Sequence, residues 1–242
     1  MVINADENMS FQVLNRRVRE TQDKKITVNG IIGQRYVGAG LSGKKIILNG
    51  TPGNALGAYL NGCDIEVHGN AQDATGDTMN GGKIVIYGNA GDATGYAMRG
   101  GKIFVEGNTG YRAGIHMKAY KELHPVIVIG GRAGSFLGEY QAGGVIVVLG
   151  QNDDGQPIFH NFCGTGMHGG IMYLRCRKLP HKLPTQVHVE AVCGADIPEL
   201  CDIIKEYCES FPQFNAKKLL NSNFFVLTPD KDNPYKALYT DN

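Results

Sequence analysis

Between positions 26 and 170 the chain repeats itself about every nineteen residues, and that period narrows what it can fold into more than any other feature. The clearest copies are Ile65-Glu66-Val67-His68-Gly69-Asn70, Ile84-Val85-Ile86-Tyr87-Gly88-Asn89 and Ile103-Phe104-Val105-Glu106-Gly107-Asn108. Each is a short apolar alternation closed by glycine. The closing glycines are Gly30, Gly50, Gly69, Gly88, Gly107, Gly130 and Gly150, with spacings of 20, 19, 19, 19, 23 and 20. A repeat this short cannot bury its own apolar face, so copies must stack to make a core.

The residues four and two before each glycine are Ile26/Val28, Ile46/Leu48, Ile65/Val67, Ile84/Ile86, Ile103/Val105, Val126/Val128 and Ile146/Val148. All are aliphatic. Alternate strand residues share a face, so these pairs predict two aliphatic ladders on one side of stacked strands. The remainder of each unit is turn chemistry, such as GNAQDATGDTMNGG at 69–82 and GNAGDATGYAMRGG at 88–101. Glycines this dense suit corners that need positive φ or close backbone approach. Met79, Met98, Met117 and Met167 share one register and are expected to fill the interior. Nineteen residues have room for three short strands and three corners, the size of one parallel β-helix coil. Seven coils stack to roughly 30 Å.

The expectation is therefore an all-β, single-stranded solenoid of about seven coils with a C-terminal helical or irregular cap. Residues 1–25 are read as an N-terminal arm, 26–175 as the β-helix and 176–242 as the cap with one helix and a tail. In the arm, Phe11, Leu14 and Val18 have helical spacing. In the cap, residues 195–210 read as a helix with Pro198 in its first turn and Leu200, Ile203, Ile204 and Tyr207 along one side. Phe224 to Leu227 is strand-like.

A net charge of +1 over 242 residues argues against nucleic-acid or membrane-surface binding. No apolar run approaches the length of a membrane span. The N-terminus lacks the apolar core of a signal peptide. Six scattered cysteines do not form a disulfide framework. Cytoplasmic location is the expectation.

Candidate sites each have a plainer structural reading. Gly38-Ala39-Gly40-Leu41-Ser42-Gly43 matches GxGxxG, but a strand rather than a phosphate-binding helix is expected to follow it. Cys176, His181, His188 and Cys193 are zinc-ligand types without a CxxC pair, and Pro180 and Pro184 interrupt them. Cys201 and Cys208 share one face of the expected helix. Asp73 and Asp92, and Asn70, Asn89 and Asn108, recur in register; a calcium ladder is one reading, and side chains hydrogen-bonding from coil to coil is the favoured one. Cys163, with His160 and His168 near it in sequence, is a possible nucleophile and base. These three flank or lie in the insertion at 151–161, which departs from the repeat. No residue is assigned a catalytic, cofactor-binding or metal-binding role.

The other sheet face carries a second signal. Positions three and one before each glycine begin polar (Thr27, Asn29) and turn apolar from Val85 through Phe104, Ile127, Ile129, Val147 and Leu149. Contiguous apolar surface needs a cover. The favoured cover is the chain's own helix at 195–210, ahead of a partner subunit or a second copy, because an apolar helix stripe must also be buried.

The run GNAGDATGYAMRGGKIFVEG, then Gly110-Tyr111-Arg112-Ala113-Gly114, GGRAGSFLGEYQAGGVIVVLG and GTGMHGGIMYLR, resembles the GXGXG domain of glutamate synthase, which normally ends the large subunit. Thr228-Pro229 and Pro234-Tyr235-Lys236-Ala237-Leu238-Tyr239 resemble the ending of stand-alone versions. The resemblance spans about residues 15–242. It implies a right-handed parallel β-helix that packs as a scaffold between a glutaminase (amidotransferase) partner and an FMN and iron–sulfur synthase partner, in glutamate biosynthesis. The family's nucleophile is an N-terminal cysteine, and Met1-Val2-Ile3 stands here instead. Clustered iron–sulfur cysteines are missing as well. The chain is thus expected to bind no cofactor itself and to be inactive alone, a subunit of an oxidoreductase and possibly a homo-oligomer. The alternatives are a β-helix subunit of a formylmethanofuran dehydrogenase-like molybdenum or tungsten enzyme, and a free-standing β-helix enzyme of the lyase or acyltransferase type.

Overall fold

A computed structural model describes residues 1–151 and 155–230. Its strands form one eleven-stranded sheet in the order β1-β2-β3-β4-β5-β6-β7-β8-β9-β11-β10. They are β1 (Val2–Asn4), β2 (Lys25–Ile32), β3 (Lys45–Thr51), β4 (Asn61–His68), β5 (Gly81–Ile86), β6 (Lys102–Val105), β7 (Val126–Ile129), β8 (Ala142–Val148), β9 (Gly169–Arg175), β10 (Val187–Cys193) and β11 (Asn223–Pro229). Pairing from β1 to β9 is parallel, and β11 lies antiparallel between β9 and β10. Among the described residues there are three α-helices: α1 (Phe11–Glu20), α2 (Pro198–Ser210) and α3 (Ala216–Leu220). None is long and apolar enough to cross a membrane.

This corrects the expected fold class. The chain is not an all-β, right-handed parallel β-helix of three-stranded coils. Each repeat contributes one strand to a single, mostly parallel sheet, and three helices accompany it. The physical reason lies in the glycine-dense stretches. In each unit the backbone enters the left-handed region at three alternate positions, for example Ala74 (φ 56), Gly76 (φ 71) and Thr78 (φ 51), then Ala93 (φ 54), Gly95 (φ 72) and Ala97 (φ 49). A segment that turns left-handed at every second residue cannot stay extended, so no second or third strand forms. The C-terminal cap is not separate from the sheet, since β11 and β10 join it beyond β9, and β1 of the N-terminal arm joins it at the other end.

The turn segments still stack. Ala74 N–H donates to Asp92 O of the next unit at 2.8 Å, and Gly76 N–H to Leu56 O of the preceding one at 2.7 Å. A left-handed alanine costs about 1 kcal/mol, and these bonds in both directions hold it in place. Gly76 cannot be replaced so easily: a Cβ there would lie 2.4 Å from Ile103 Cδ1. The inner sheet face and the turn layer thus enclose one core, which contains the ladder isoleucines and Met79, Met98, Met117 and Met167, all fully buried.

One ladder pair is misassigned by the sequence. β7 pairs with β6 as Ile103↔Ile127 and Val105↔Ile129, so Ile127 and Ile129 face inward, while Val126 and Val128 face outward. The register glycine is Gly131, whose N–H bonds Gly107 O, and not Gly130. The longer connection before β7, with its Tyr120↔Leu123 bridge, returns the chain one residue later. Because Val126 through Ile129 are all aliphatic, composition could not reveal the shift.

The outer face is covered as expected by the chain's own helix. Leu200, Ile203, Ile204 and Tyr207 of α2 are buried with Val85, Phe104, Val128, Val147 and Leu149 in a second core. Pro198 starts this helix, after a 3-10 turn at Gly194–Asp196. Tyr207 donates its hydroxyl to Val105 O at 3.1 Å. A Cβ on Gly130 would lie 2.1 Å from Glu106 O and 2.4 Å from that hydroxyl, so glycine fits there and a larger residue does not.

The first end of the stack has its own closure. Ser10 caps α1, and Leu14 and Val18 are buried beneath it. In later units the carbonyls of residues such as Asn54 and Ala58 accept N–H groups from the unit before. Unit one has no predecessor, and α1 supplies donors instead: Asn15 Nδ2 to Arg35 O at 2.8 Å and Arg19 Nη2 to Ala39 O at 3.0 Å. The two side chains sit four residues apart on a helix, and so do the two carbonyls along the turn.

Candidate functional site

The possible nucleophile, Cys163, is part of the core. Cys163 precedes the left-handed Gly164 just as Leu137 precedes Gly138, and it takes the same interior position. It is 2% exposed, and burial pushes its thiol up to about 12. Such a thiol stays protonated at neutral pH and is a poor nucleophile. Its Sγ faces Met172 Sδ at 4.0 Å. His160 is exposed, and His168 Nδ1 lies 3.0 Å from Gly166 O. Part of the 151–161 insertion, residues 152–154, lies outside the described residues, as does the family-like tail from Pro234 to Tyr239.

The zinc-ligand types are dispersed. Cys176 is half-buried, with its thiol raised to about 11 by burial. His181 sits against the Phe159 ring at 6.0 Å. His188 and Cys193 lie toward opposite ends of β10, paired with Thr228 and Asn223. Among the described residues no three His, Cys, Asp or Glu side chains lie close enough to share a metal. The GxGxxG segment is a turn followed by β3, not a helix, and Gly38 packs on Ile65 and Ile46. Cys201 and Cys208 pack at the edge of the core beneath α2.

The in-register Asn and Asp residues stitch units together. Asn70 Oδ1 accepts from Asn89 N–H, Asn89 Oδ1 from Asn108 N–H, and Asn108 Oδ1 from Arg132 N–H, each at 2.8 Å. Asp73 and Asp92 do the same toward Asp92 and Tyr111 N–H at 2.9 and 2.8 Å. The favoured reading of these ladders holds, and their oxygens are turned to neighbouring backbone.

What remains chemically distinctive is surface. A concavity of about 450 Å³ is lined by Tyr87, Asn89, Glu106, Asn108, Gln151 and Phe214, with Gly88 and Gly107 backbone between them. At the edge of α2, Glu206 bridges Lys83 at 3.3 Å and also Lys102. Burial alone would raise this carboxyl, but Lys102 and Lys83 hold it below its ordinary value. Along the turn edge runs a partly exposed aromatic strip. His116 stacks on Tyr140 at 5.2 Å, Phe136 stacks on Phe162 at 4.9 Å, and Arg112 lies over Phe136 at 4.7 Å while pairing with Glu139. These rings occupy left-handed positions of successive units. The sequence reading missed the strip, although aligning the units on those positions would have put Phe136 over Phe162 and His116 over Tyr140.

Comparison with known proteins identifies the family. The model of the GXGXG motif family matches residues 3–229. A Methanocaldococcus jannaschii protein named Uncharacterized protein MJ1350 is 42% identical over 252 aligned positions, covering 99% of this chain and 96% of the relative. With its repeat body and most of both flanking segments inside the match, the chain belongs to the GXGXG motif family, that of the glutamate synthase C-terminal domain.

Proposed function

We propose that the chain is a non-catalytic scaffold subunit of a glutamate synthase-like assembly. It would hold an amidotransferase partner and an FMN and iron–sulfur synthase partner in one complex in the cytoplasm. The observation that carries this reading is the family match across nearly the whole described chain. The buried Cys163 supports it, because the cysteine considered as a nucleophile packs into the core. The division into arm (1–25), repeat body (26–175) and cap (176–242) is part of the same proposal. The partly exposed aromatic strip supports a contact role, since aromatic side chains are enriched where proteins meet.

The test is purification of a tagged chain from its native cell, followed by identification and stoichiometry of what accompanies it. The proposal expects an amidotransferase and a flavin-containing synthase in near-equal amounts. It also expects glutamate formation from glutamine and 2-oxoglutarate by the complex but not by the chain alone. Recovery with a molybdenum or tungsten enzyme, or turnover by the isolated chain, would overturn it.

A further inference from the structure

The two ends of the turn stack are finished differently. Within it, one column of N–H groups points forward: Tyr36, Ala55, Ala74, Ala93, Arg112 and Phe136 each donate to the next unit at 2.7–3.0 Å. A second column four residues on does likewise, ending with His116 to Glu139 O at 2.9 Å and Tyr140 to Thr165 O at 2.8 Å. In the last unit these positions are Phe162 and Gly166. No further unit follows, and among the described residues neither N–H has an acceptor. Val187 closes the middle of this end, with its Cγ2 3.3 Å from where a Gly164 Cβ would be, but Phe162 beside it remains 58% exposed.

The opposite end shows what completes such an edge. There two carbonyls four residues apart receive two donors, Asn15 and Arg19, from one helix. The last unit presents the reverse polarity, two donors four residues apart, so its complement is a helix carrying two acceptors at the same spacing. Carboxylates fit best, because a charged acceptor strengthens each N–H bond. A second copy stacked end to end does not fit: its matching end presents the same donors, and its other end is closed by α1. The sequence of residues 231–242 has no two carboxylates or side-chain amides four apart.

We propose that this end of the stack, at Phe162 and Gly166, docks a helix of another protein bearing Asp or Glu residues four apart, with the Phe162 ring packing against it. The idea rests on the scaffold reading only in requiring that a partner protein exists.

The test uses the full chain and a cross-link-stabilised helical peptide with two Glu residues four apart. The control peptide has the same composition with the two Glu residues two apart, on different helix faces. Amide chemical shifts report where each binds. The expected result is downfield movement of the Phe162 and Gly166 amide protons and binding at least about tenfold tighter than the control, the effect of losing one charge-assisted bond. Phe162→Glu, at an exposed position, should keep the melting temperature and weaken binding by a similar factor. Equal affinity for both peptides, or unmoved amides, overturns the proposal. So does concentration-dependent self-association that moves those amides, which would assign the edge to a second copy. Movement of the same amides on removing residues 231–242 would assign it to the chain's own end. None of these outcomes bears on the co-purification test, so the two readings fail separately.

Discussion

The inner face of the sheet and its outer face from β5 to β9 are both apolar and largely buried, yet they are built on different principles. The inner face is periodic. Ile65, Ile84, Ile103, Ile127 and Ile146 each meet a turn glycine from a neighbouring unit, so one solution is used again in every repeat. The outer face is covered once, by a helix roughly a hundred residues away in sequence, and its contacts are individual: Tyr207 under Gly130, and Glu206 between two lysines. A repeat can thus specify its own interior while leaving one surface to a non-repeating element. The inner face should be unforgiving at every unit, and the outer face tolerant and separable.

The largest expected contrast is Ile86→Asp against Tyr87→Asp. Ile86 is fully buried, so the first loses about 1.5–3 kcal/mol of burial and adds a larger cost for an unpaired buried charge, which together should unfold the chain. Tyr87 lies on the outer face, stacked on His68 at 4.7 Å and partly exposed, so its variant should remain folded with a lowered melting point. Equal melting of the two would remove the distinction between faces.

Within the turn layer, Gly76→Ala should cost about 2–4 kcal/mol by denaturant unfolding, combining a left-handed alanine with overpacking onto Ile103. Gly40→Ala, at φ 65 with nothing within 4 Å of the added carbon, should cost only about 1 kcal/mol. If both cost the same, close packing is not what places glycine in the interior column.

On the outer face, the Glu206 bridge should make the attachment of α2 pH-dependent. Its folded value lies below the ordinary 4.5, so the stabilisation is present above that pH and is lost as pH falls through the folded value. Glu206→Gln should cost about 1 kcal/mol at pH 7 and nearly nothing at pH 3. A gap in melting temperature that is the same at both pH values would mean the lysines contribute no charge interaction.

The smallest effect is expected inside. Gln141 is fully buried in the column otherwise filled by Met117 and Met167, and its Oε1 has no partner among the described residues. Its Nε2 bonds Gly143 O and Gly144 O at 3.2 and 3.1 Å. Gln141→Met removes the orphaned oxygen and those two bonds together, so stability should change by less than about 1 kcal/mol. A loss above about 2 kcal/mol would show that the two bonds hold the start of β8.

Much of the inner face was legible because its signal repeats. Six of seven ladder pairs, and the methionine column, follow from spacing alone. The seventh failed where an irregular connection met four consecutive aliphatics at β7, and period-2 patterns carry no register there. The number of strands per unit was misjudged for a different reason. Alanines such as Ala55 and Ala93 adopt left-handed backbone that their sequence does not advertise, because inter-unit bonds rather than propensity hold them there. Strands β1 and β10 were missed because each is specified by the neighbour it pairs with. Of the site candidates, the Asn and Asp ladders could be read from register. The burial of Cys163 could have been, since it falls in the Leu56 and Leu137 column. The open edge at Phe162 and Gly166 could not, since it is a property of backbone groups and of which unit comes last.

The repeat should be a self-sufficient core and α2 a separable cover on its outer face. Native-state hydrogen exchange on Ile204→Ala tests it most directly, because truncating this fully buried side chain should weaken α2 by about 2–5 kcal/mol. Amides of Pro198–Ser210 should lose protection while those of β4, β5 and β6 keep most of theirs. Loss of protection in α2 and in those strands together, by the same amount, would contradict it.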